Sequence, residues 1–401
     1  MSAIVPSQTR FNNSEGLAIP IKKITVPEWI LFLLLFLLTR QAQFEFLTNI
    51  TLALSALSIL VYLDLKKSVK LICFFLIYIS ISGIFSSIFE YKFDSILRFY
   101  GVLFMTLLVF YSRFRIHKLG MVSLPIILQS LIVILVSCYL GLLQDPVVSE
   151  GVRGFVVGNG WGDVYSFDGV YYRTQLRGNA LIPLFYLIFL FKYNECRTNK
   201  IFYFITLFAL IFAGNATYLF VCFFATILRV KKLFTSHRIR YVMLFLILAL
   251  AIYYSGQMID FLIETKFSGS PSSSSAVRID QINSYLNSIS MNPVSVLFGK
   301  GIGACFPSSN LTDYCSSHYI ELQILNITHQ IGFVGIIFYL FIVWYLSKKQ
   351  LNREGFALLW LYFFMSSSNP YIFDMNQIIA TMIILSLYSR VTVLPQQRVK
   401  V

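Results

Sequence analysis

Three arginines and one histidine stand beside long apolar segments, where they could act on a charged substrate. Arg173 and Arg177 are four residues apart, just before the apolar stretch that begins at Gly178. Arg278 opens a later segment, and His318 stands at the start of another apolar stretch. A guanidinium group keeps its proton and can hold phosphate oxygens through two parallel hydrogen bonds. These residue types therefore predict a binding site for an anion such as a phosphate, with a titratable base available.

His318 is the candidate base, because imidazole titrates near neutral pH and can accept a proton from a sugar hydroxyl. His329 lies eleven residues further along, about three helical turns deeper, and we interpret it as a structural residue behind the site. If a helix extends back from Gly178 to Arg173, the two arginines of this segment share one helical face.

Each of these residues also has a simpler interpretation. Arginines beside apolar segments often place their charge among lipid head groups. A single histidine at such a boundary is commonly hydrogen-bonded to the backbone. Five aromatic residues stand in the stretch directly before Arg173. They could stack on sugar rings, or could pack the loop against a membrane interface. They are Trp161, Tyr165, Phe167, Tyr171 and Tyr172.

The composition sets where such a site must be built. The chain has 401 residues, of which 57% are hydrophobic and only 12% are charged. Its mean hydropathy is +0.73. A water-soluble domain of this length needs a more polar exterior, so the composition indicates an integral membrane protein. The apolar runs are continuous and do not alternate, which favours membrane-spanning helices over a β-barrel.

The expected fold is all-α, a polytopic bundle of about twelve transmembrane helices. The predicted helices cover residues 24–39, 44–64, 69–89, 95–112, 119–143, 178–192, 200–214, 215–229, 239–258, 318–347, 355–373 and 375–389. The two short helices 200–214 and 215–229 could instead be one bent span.

The net charge of +14 follows the expected topology. With both termini in the cytoplasm, short cytoplasmic loops collect most of the lysines and arginines, among them Lys66, Lys67 and Lys70. Positive charge in short loops is retained on the cytoplasmic side. The basicity therefore indicates a multi-pass membrane protein with its N- and C-termini in the cytoplasm, and no nucleic-acid partner. The N-terminal residues lack the pattern of a cleaved signal, so the first span is expected to be a retained anchor.

We expect residues 1–401 to form a single integral membrane domain with two long extracytoplasmic loops, 144–176 and 256–317. Glycines and aromatic residues in the first loop allow a short hairpin. The second loop contains a predicted flexible linker, 268–275. An amphipathic helix follows at 276–289, expected to lie at the membrane surface, and then a glycine-rich turn at 299–303.

Cysteine and histidine spacing predicts neither a metal site nor a cofactor. Cys305 and Cys315 share the second loop, and a bridge between them stays open at this point. The four histidines of the chain are widely separated and do not form a zinc-binding pattern.

The second loop and the helix after it resemble the characteristic block of the O-antigen polymerase and O-antigen ligase superfamily. The resemblance covers residues 276–350, and its positions are Arg278, Pro293, Gly299, Gly301, Gly303, His318, Leu322, Leu325, Gly332 and Gly335. The earlier stretch RTQLRGNALIP is similar to the arginine-glycine-asparagine element of that family, through Arg177, Gly178 and Asn179. The glycine pair lies about one helical turn further from the histidine than in the family pattern. A Ser-Arg pair found in some members is replaced here by GNAT at 214–217.

The resemblance implies a metal-independent glycosyltransferase of the bacterial inner membrane that uses an undecaprenyl-diphosphate-linked oligosaccharide. The reaction would take place at the periplasmic face, so the two long loops would be periplasmic. Arg177 and Arg278 would bind the donor diphosphate and stabilise the charge that develops on it. Arg173 and Asn179 would also contact the substrate, and His318 would activate the acceptor hydroxyl. We favour polymerisation of repeat units into O-antigen or a related surface polysaccharide, assisted by a chain-length regulator. A ligase that transfers polymer to the lipid A core is one alternative, and a flippase without catalytic activity is the other.

Overall fold

The computed structural model describes residues 25–40, 46–89, 93–114, 116–166, 170–233, 274–291, 294–301, 304, 306, 322–367 and 374–390. These residues are mostly helical, with a short antiparallel hairpin, so the predicted helical class is confirmed. The elements are α1 Val26–Arg40, α2 Phe46–Val61, α3 Leu65–Phe89, α4 Phe93–Val109, α5 Leu119–Leu143, α6 Pro146–Gly158, β1 Gly162–Ser166, β2 Tyr172–Leu176, a 3₁₀ helix Arg177–Leu181, α7 Ile182–Phe191, α8 Arg197–Ala213, α9 Ala216–Leu233, α10 Ser274–Met291, α11 Val294–Phe298, α12 Gln323–Gln350, α13 Arg353–Ser367 and α14 Met375–Tyr388.

Two of the described helices are long and apolar enough to cross a membrane, judged by length and composition. They are Leu119–Leu143, with the predicted bounds, and Ile324–Gln350. The bundle of about twelve spans stays a prediction, and its segment 239–258 lies outside the described residues. The pair predicted at 200–229 is two helices. α8 ends at Gly214, whose φ of +63° is a left-handed conformation that favours glycine, and α9 begins two residues later.

The exposed residues of α5 are apolar or aromatic, whereas its buried face mixes apolar and polar residues. Its buried face includes the polar residues Ser123, Gln129, Ser130 and Ser137. A stripe of exposed apolar residues follows the opposite face at intervals of three and four, along the whole helix. These exposed residues are Leu124, Leu128, Leu131, Leu135, Tyr139 and Leu142. An apolar exposed face together with buried polar residues is typical of a helix surrounded by an apolar medium.

Other helices repeat this arrangement. On α8, Thr206 is buried while Ile201, Phe204, Phe208 and Ile211 are exposed. On α12, buried polar residues face the protein and a stripe of large apolar residues faces outward. That stripe comprises Phe333, Val334, Ile337, Phe338, Phe341 and Tyr345. The apolar exterior is therefore a property of several helices and not of one patch.

Helix α7 lies deep in the fold, and every residue from Ile182 to Leu190 is buried. It packs against α8, α9 and α13, while α5 packs against α1 and α8. The strand β2 leads through the 3₁₀ helix directly into α7. The hairpin is thus an extension of the rigid centre of the fold, and residues at the junction are held firmly.

Candidate functional site

The hairpin β1–β2 carries the first pair of predicted arginines. Its register pairs Tyr165 with Arg173 and Val164 with Thr174. Val164 and Thr174 are buried, and the Thr174 hydroxyl lies 2.7 Å from the Ser137 hydroxyl of α5. One face of the hairpin is therefore fixed to α5. The hairpin expected in this loop is confirmed, whereas a helix extending back to Arg173 is not found, because residues 172–176 form a strand with Thr174 buried on α5.

Alternation along β2 places Arg173, Gln175 and Arg177 on the face opposite the buried Thr174. Arg177 continues the ladder, since its backbone N–H donates to the Trp161 carbonyl at 3.0 Å. The two arginines thus share a face, through strand alternation and not through helical spacing. Arg177 is exposed, and the ion pairs formed within the described part of the chain do not include it.

Arg173 lies against the C-terminal end of α8. Its Cγ, Cδ and Nε atoms are 2.7–2.9 Å from the place where a Cβ atom would stand on Gly214, so only glycine leaves room for this side chain. The last carbonyl groups of a helix carry partial negative charge, which favours a guanidinium group there. The neighbouring Tyr171 donates its hydroxyl to the Ile211 carbonyl and stacks on Phe212. Arg173 is consequently a half-buried residue held at the junction of hairpin and helix.

Asn179 fixes the turn that presents Arg177. Its side-chain oxygen accepts a hydrogen bond from Gln129 Nε2 at 3.0 Å, and its side-chain nitrogen donates to the Thr174 carbonyl at 2.9 Å. The residue is buried. At Gly178, a Cβ atom would lie 3.0 Å from the Thr39 carbonyl oxygen of α1. In the RGN stretch, arginine is therefore exposed, glycine permits close packing, and asparagine anchors the turn.

We predict that Asn179→Ala destabilises the protein by about 1–3 kcal/mol, because it leaves the buried amide of Gln129 without its acceptor. The measurement is the midpoint of thermal unfolding in detergent. Gln129→Leu removes the other partner and should lower the midpoint to a similar extent. An unchanged midpoint in Asn179→Ala, combined with lost activity, would instead favour the predicted contact between Asn179 and the substrate.

The helix expected at 276–289 is confirmed as α10, and its polar side packs against the protein. Gln281, Ser284 and Tyr285 are buried, whereas Ile282 and Leu286 are exposed. The Gln281 side-chain oxygen accepts a hydrogen bond from the Leu322 N–H at 3.1 Å, at the start of α12. The Gln281 amide nitrogen is buried and has no partner among the described residues. Helix α10 therefore brings polar groups to the N-terminal end of α12.

The glycine-rich turn packs against a break in α12 and forms hydrogen bonds there. Gly332 has φ 67° and ψ 174° inside that helix. The carbonyl groups released by the break accept hydrogen bonds from the turn, namely His329 from Lys300 N–H at 2.7 Å and Gln330 from Gly301 N–H at 3.1 Å. A Cβ atom on Gly332 would overlap the Leu297 carbonyl and lie 2.5 Å from the Gly299 nitrogen. These glycines thus permit two backbones to touch.

His329 lies behind this joint. It is buried, with ring centroids 5.5 Å from Phe306 and 6.4 Å from Tyr285. This surrounding is aromatic, in keeping with its interpretation as a structural residue. The remaining positions of the resemblance are only partly described. Arg278 lies one turn before Gln281 in α10, which packs on α11 and α12. His318, Cys305 and Cys315 lie outside the described residues, as do Pro293, Gly303 and most of the linker 268–275.

The structure thus places Arg173, Arg177 and Asn179 along one segment at the hairpin, with only Arg177 exposed, and it places Arg278 on a separate element. The aromatic residues of the first loop mostly pack. Trp161 contacts Phe155 with ring centroids 4.9 Å apart, Tyr171 stacks on Phe212, and Tyr172 is buried. Phe167 lies outside the described residues.

Sequence reasoning missed helix α6 and the ion pair that it forms. Arg153 donates to both carboxylate oxygens of Asp163 at 2.9 and 3.1 Å, which raises the pKa of the guanidinium group. The signal that could have revealed α6 is Asp145 followed by Pro146. Asp145 caps the helix by accepting a hydrogen bond from Val147 N–H at 2.9 Å, and proline is favoured at the first helical position.

Comparisons with known family models, with curated proteins and with solved structures give no match to this chain. The resemblance to the polymerase and ligase superfamily therefore depends on the residues of the chain itself. Among the described residues, no group of three or more His, Cys, Asp and Glu side chains is placed to hold a metal ion. The function must accordingly be inferred from the arginines, the hairpin and the broken helix.

Proposed function

We propose that this chain is a multi-pass membrane glycosyltransferase that joins undecaprenyl-diphosphate-linked oligosaccharide repeat units into a longer surface polysaccharide. The observation that carries the proposal is Arg177, an exposed cation without an ion-pair partner in the described part of the chain. It stands at the end of a hairpin that is continuous with the buried helix α7. An exposed guanidinium group on a firmly placed backbone suits the recognition of a diphosphate.

The apolar exposed faces of the helices support a membrane location. Apolar stripes on α5, α8 and α12 face outward, while serines, two threonines and Gln129 on these helices face inward. In water this exterior would favour aggregation, whereas in a bilayer it would contact the acyl chains. The remaining apolar helices would complete the multi-pass bundle in the inner membrane, with both termini in the cytoplasm.

The block 274–350 supports the second half of the site. Helix α10, the turn at 299–301 and the broken helix α12 are joined by hydrogen bonds and by the contact between Gly299 and Gly332. Arg278 lies on α10, and His318 precedes the start of α12 by five residues. This joint would hold the two ends of the loop that contains His318, at Gly301 and Leu322, in a defined position.

The chemistry would be electrostatic. The bond between the donor sugar and the diphosphate breaks, and negative charge develops on the leaving phosphate. Arg177 and Arg278 would stabilise that charge, since preorganised donors are most effective where charge develops. Arg173, four residues earlier along the strand, would contact the substrate away from the diphosphate. His318 would take the proton of the acceptor hydroxyl as the new glycosidic bond forms.

The test is a gel of the surface polysaccharide from a strain that lacks the gene, run beside its lipid-linked intermediates. We expect the ladder to collapse to core plus a single repeat unit. Expression of the intact chain should restore the ladder, and the Arg278→Ala and His318→Ala variants should not, although both proteins reach the membrane.

Two other results would contradict the proposal. Full-length polymer accumulating on the lipid carrier, with none on the core, would identify a ligase. Single repeat units trapped on the cytoplasmic face would identify a flippase, and the catalytic assignments would then fall.

A further inference from the structure

A polar cleft lies between helix α6 and the hairpin, on the described part of the first loop. It encloses about 250 Å³. Polar, charged and aromatic side chains share its walls, among them Glu150, Arg153, Tyr165, Ser166 and Tyr172. The arginines proposed to bind the diphosphate do not line it. Its chemistry is therefore that of a separate subsite.

We propose that this cleft binds a sugar ring of the lipid-linked oligosaccharide. The inference rests on the proposed function and adds where the saccharide lies. Sugar rings present hydroxyl groups around their edge and C–H groups on their faces. Carboxylate, guanidinium and hydroxyl groups can exchange hydrogen bonds with the edge, and a tyrosine ring can cover a face.

The ion pair with Asp163 gives the cleft a fixed wall. Both Asp163 oxygens accept hydrogen bonds from Arg153, so its guanidinium plane is oriented before any ligand arrives. Glu150 lies one turn earlier on α6 and takes no part in the ion pairs of the described residues. Its carboxylate remains available to accept hydrogen bonds from hydroxyl groups.

The position of the cleft relative to Arg177 fits a substrate that lies along the hairpin. Tyr165 is paired with Arg173, and Arg177 lies four residues further along the same face. Four residues of extended strand correspond to about 13 Å. A donor whose diphosphate binds at Arg177 would therefore place a sugar a short distance along its chain at Tyr165. A phosphate bound at Arg177 without a saccharide would not extend to Tyr165.

The test measures direct binding of the repeat-unit oligosaccharide, released from its lipid carrier by mild acid, to the purified full-length protein in detergent. Saturation-transfer NMR and titration calorimetry give the dissociation constant. We expect Tyr165→Ala to weaken binding by at least about fivefold, because it removes the stacking surface. Tyr165→Phe should retain most of the affinity. Glu150→Gln should weaken binding by a similar factor, because an amide is a poorer acceptor for sugar hydroxyl groups.

Glu195→Gln is the matched control. Glu195 is an exposed carboxylate in the turn between α7 and α8, paired with Lys192 and absent from the cleft wall. Its variant should bind as the unaltered protein does. Equal affinity in the unaltered protein, Tyr165→Ala and Glu150→Gln would overturn the cleft assignment, as would no binding at all.

The two proposals fail in different ways. If deletion of the gene collapses the polysaccharide ladder but the free oligosaccharide does not depend on Tyr165 or Glu150, only the cleft assignment is wrong. If the ladder is unaffected by deletion and the oligosaccharide still binds through these residues, polymerisation is wrong and a saccharide-binding role remains.

Discussion

Replacing Gly332 with alanine should prevent the chain from reaching a stable fold. Its φ of 67° and ψ of 174° belong to a region that only glycine occupies readily. The new Cβ atom would also overlap the Leu297 carbonyl, which belongs to backbone and cannot rotate away. Backbone strain and overpacking together should cost at least about 3 kcal/mol. The expected result is little monodisperse protein in size-exclusion chromatography and a strongly lowered unfolding midpoint.

The same change at Gly101 is the control. Gly101 lies within α4, and a Cβ atom there would meet no atom within 4 Å. Gly101→Ala should leave the midpoint unchanged or raise it slightly, because alanine favours a helix by about 1 kcal/mol over glycine. If Gly332→Ala folds as well as Gly101→Ala, the turn at 299–301 does not pack on α12 as described, and the joint proposed to order the loop around His318 would be lost.

This joint explains why part of the fold could be predicted from sequence and part could not. The length of a continuous apolar run can be read directly from the sequence, so α5 has the predicted bounds 119–143. The glycines at 299, 301 and 332 were recognisable as a pattern, but their contact joins residues distant in the chain. Local sequence can indicate that a backbone needs glycine, yet the partner that requires it is a tertiary property.

Helix α6 was not predicted from the sequence. Gly151, Gly154 and Gly158 gave that stretch the composition of a loop. Glycine lowers helix propensity by about 1 kcal/mol per residue, and the burial of Val156 beside Val164 and Leu140 outweighs part of that cost. The aspartate cap and the proline after it were local signals and could have been used. The cleft depends on α6, so missing this helix also concealed the cleft.

The candidate site was also only partly predictable from the sequence. The sequence showed which arginines stand beside apolar segments, but it did not show which groups surround them in the fold. Asn179 was predicted to touch the substrate, and the structure places both ends of its amide on protein partners. Arg173 was grouped with Arg177, yet it lies over Gly214 at the end of α8. Hydrogen bonds and close approaches between elements distinguish residues that position a site from residues left exposed in it.

Arg177→Ala should abolish polymer formation while leaving the protein folded, which would separate function from stability. The side chain is exposed and outside the ion pairs of the described chain, so the unfolding midpoint should not change measurably. Loss of a preorganised donor to a developing negative charge should lower the rate by about 100-fold or more. The measurement is chain extension of purified lipid-linked repeat units, with the ladder in cells as a second readout.

Arg177→Lys sharpens this prediction, because lysine keeps the charge and loses the planar fork. If Arg177 holds a diphosphate through paired hydrogen bonds, the lysine variant should recover only a small part of the activity. Arg353 provides the matched control, since it is an exposed arginine at the start of α13, on the side predicted to be cytoplasmic. Arg353→Ala should extend chains normally. Normal extension by Arg177→Ala at an equal protein level would show that Arg177 serves only the lipid head groups, and the donor site would have to be sought around Arg278.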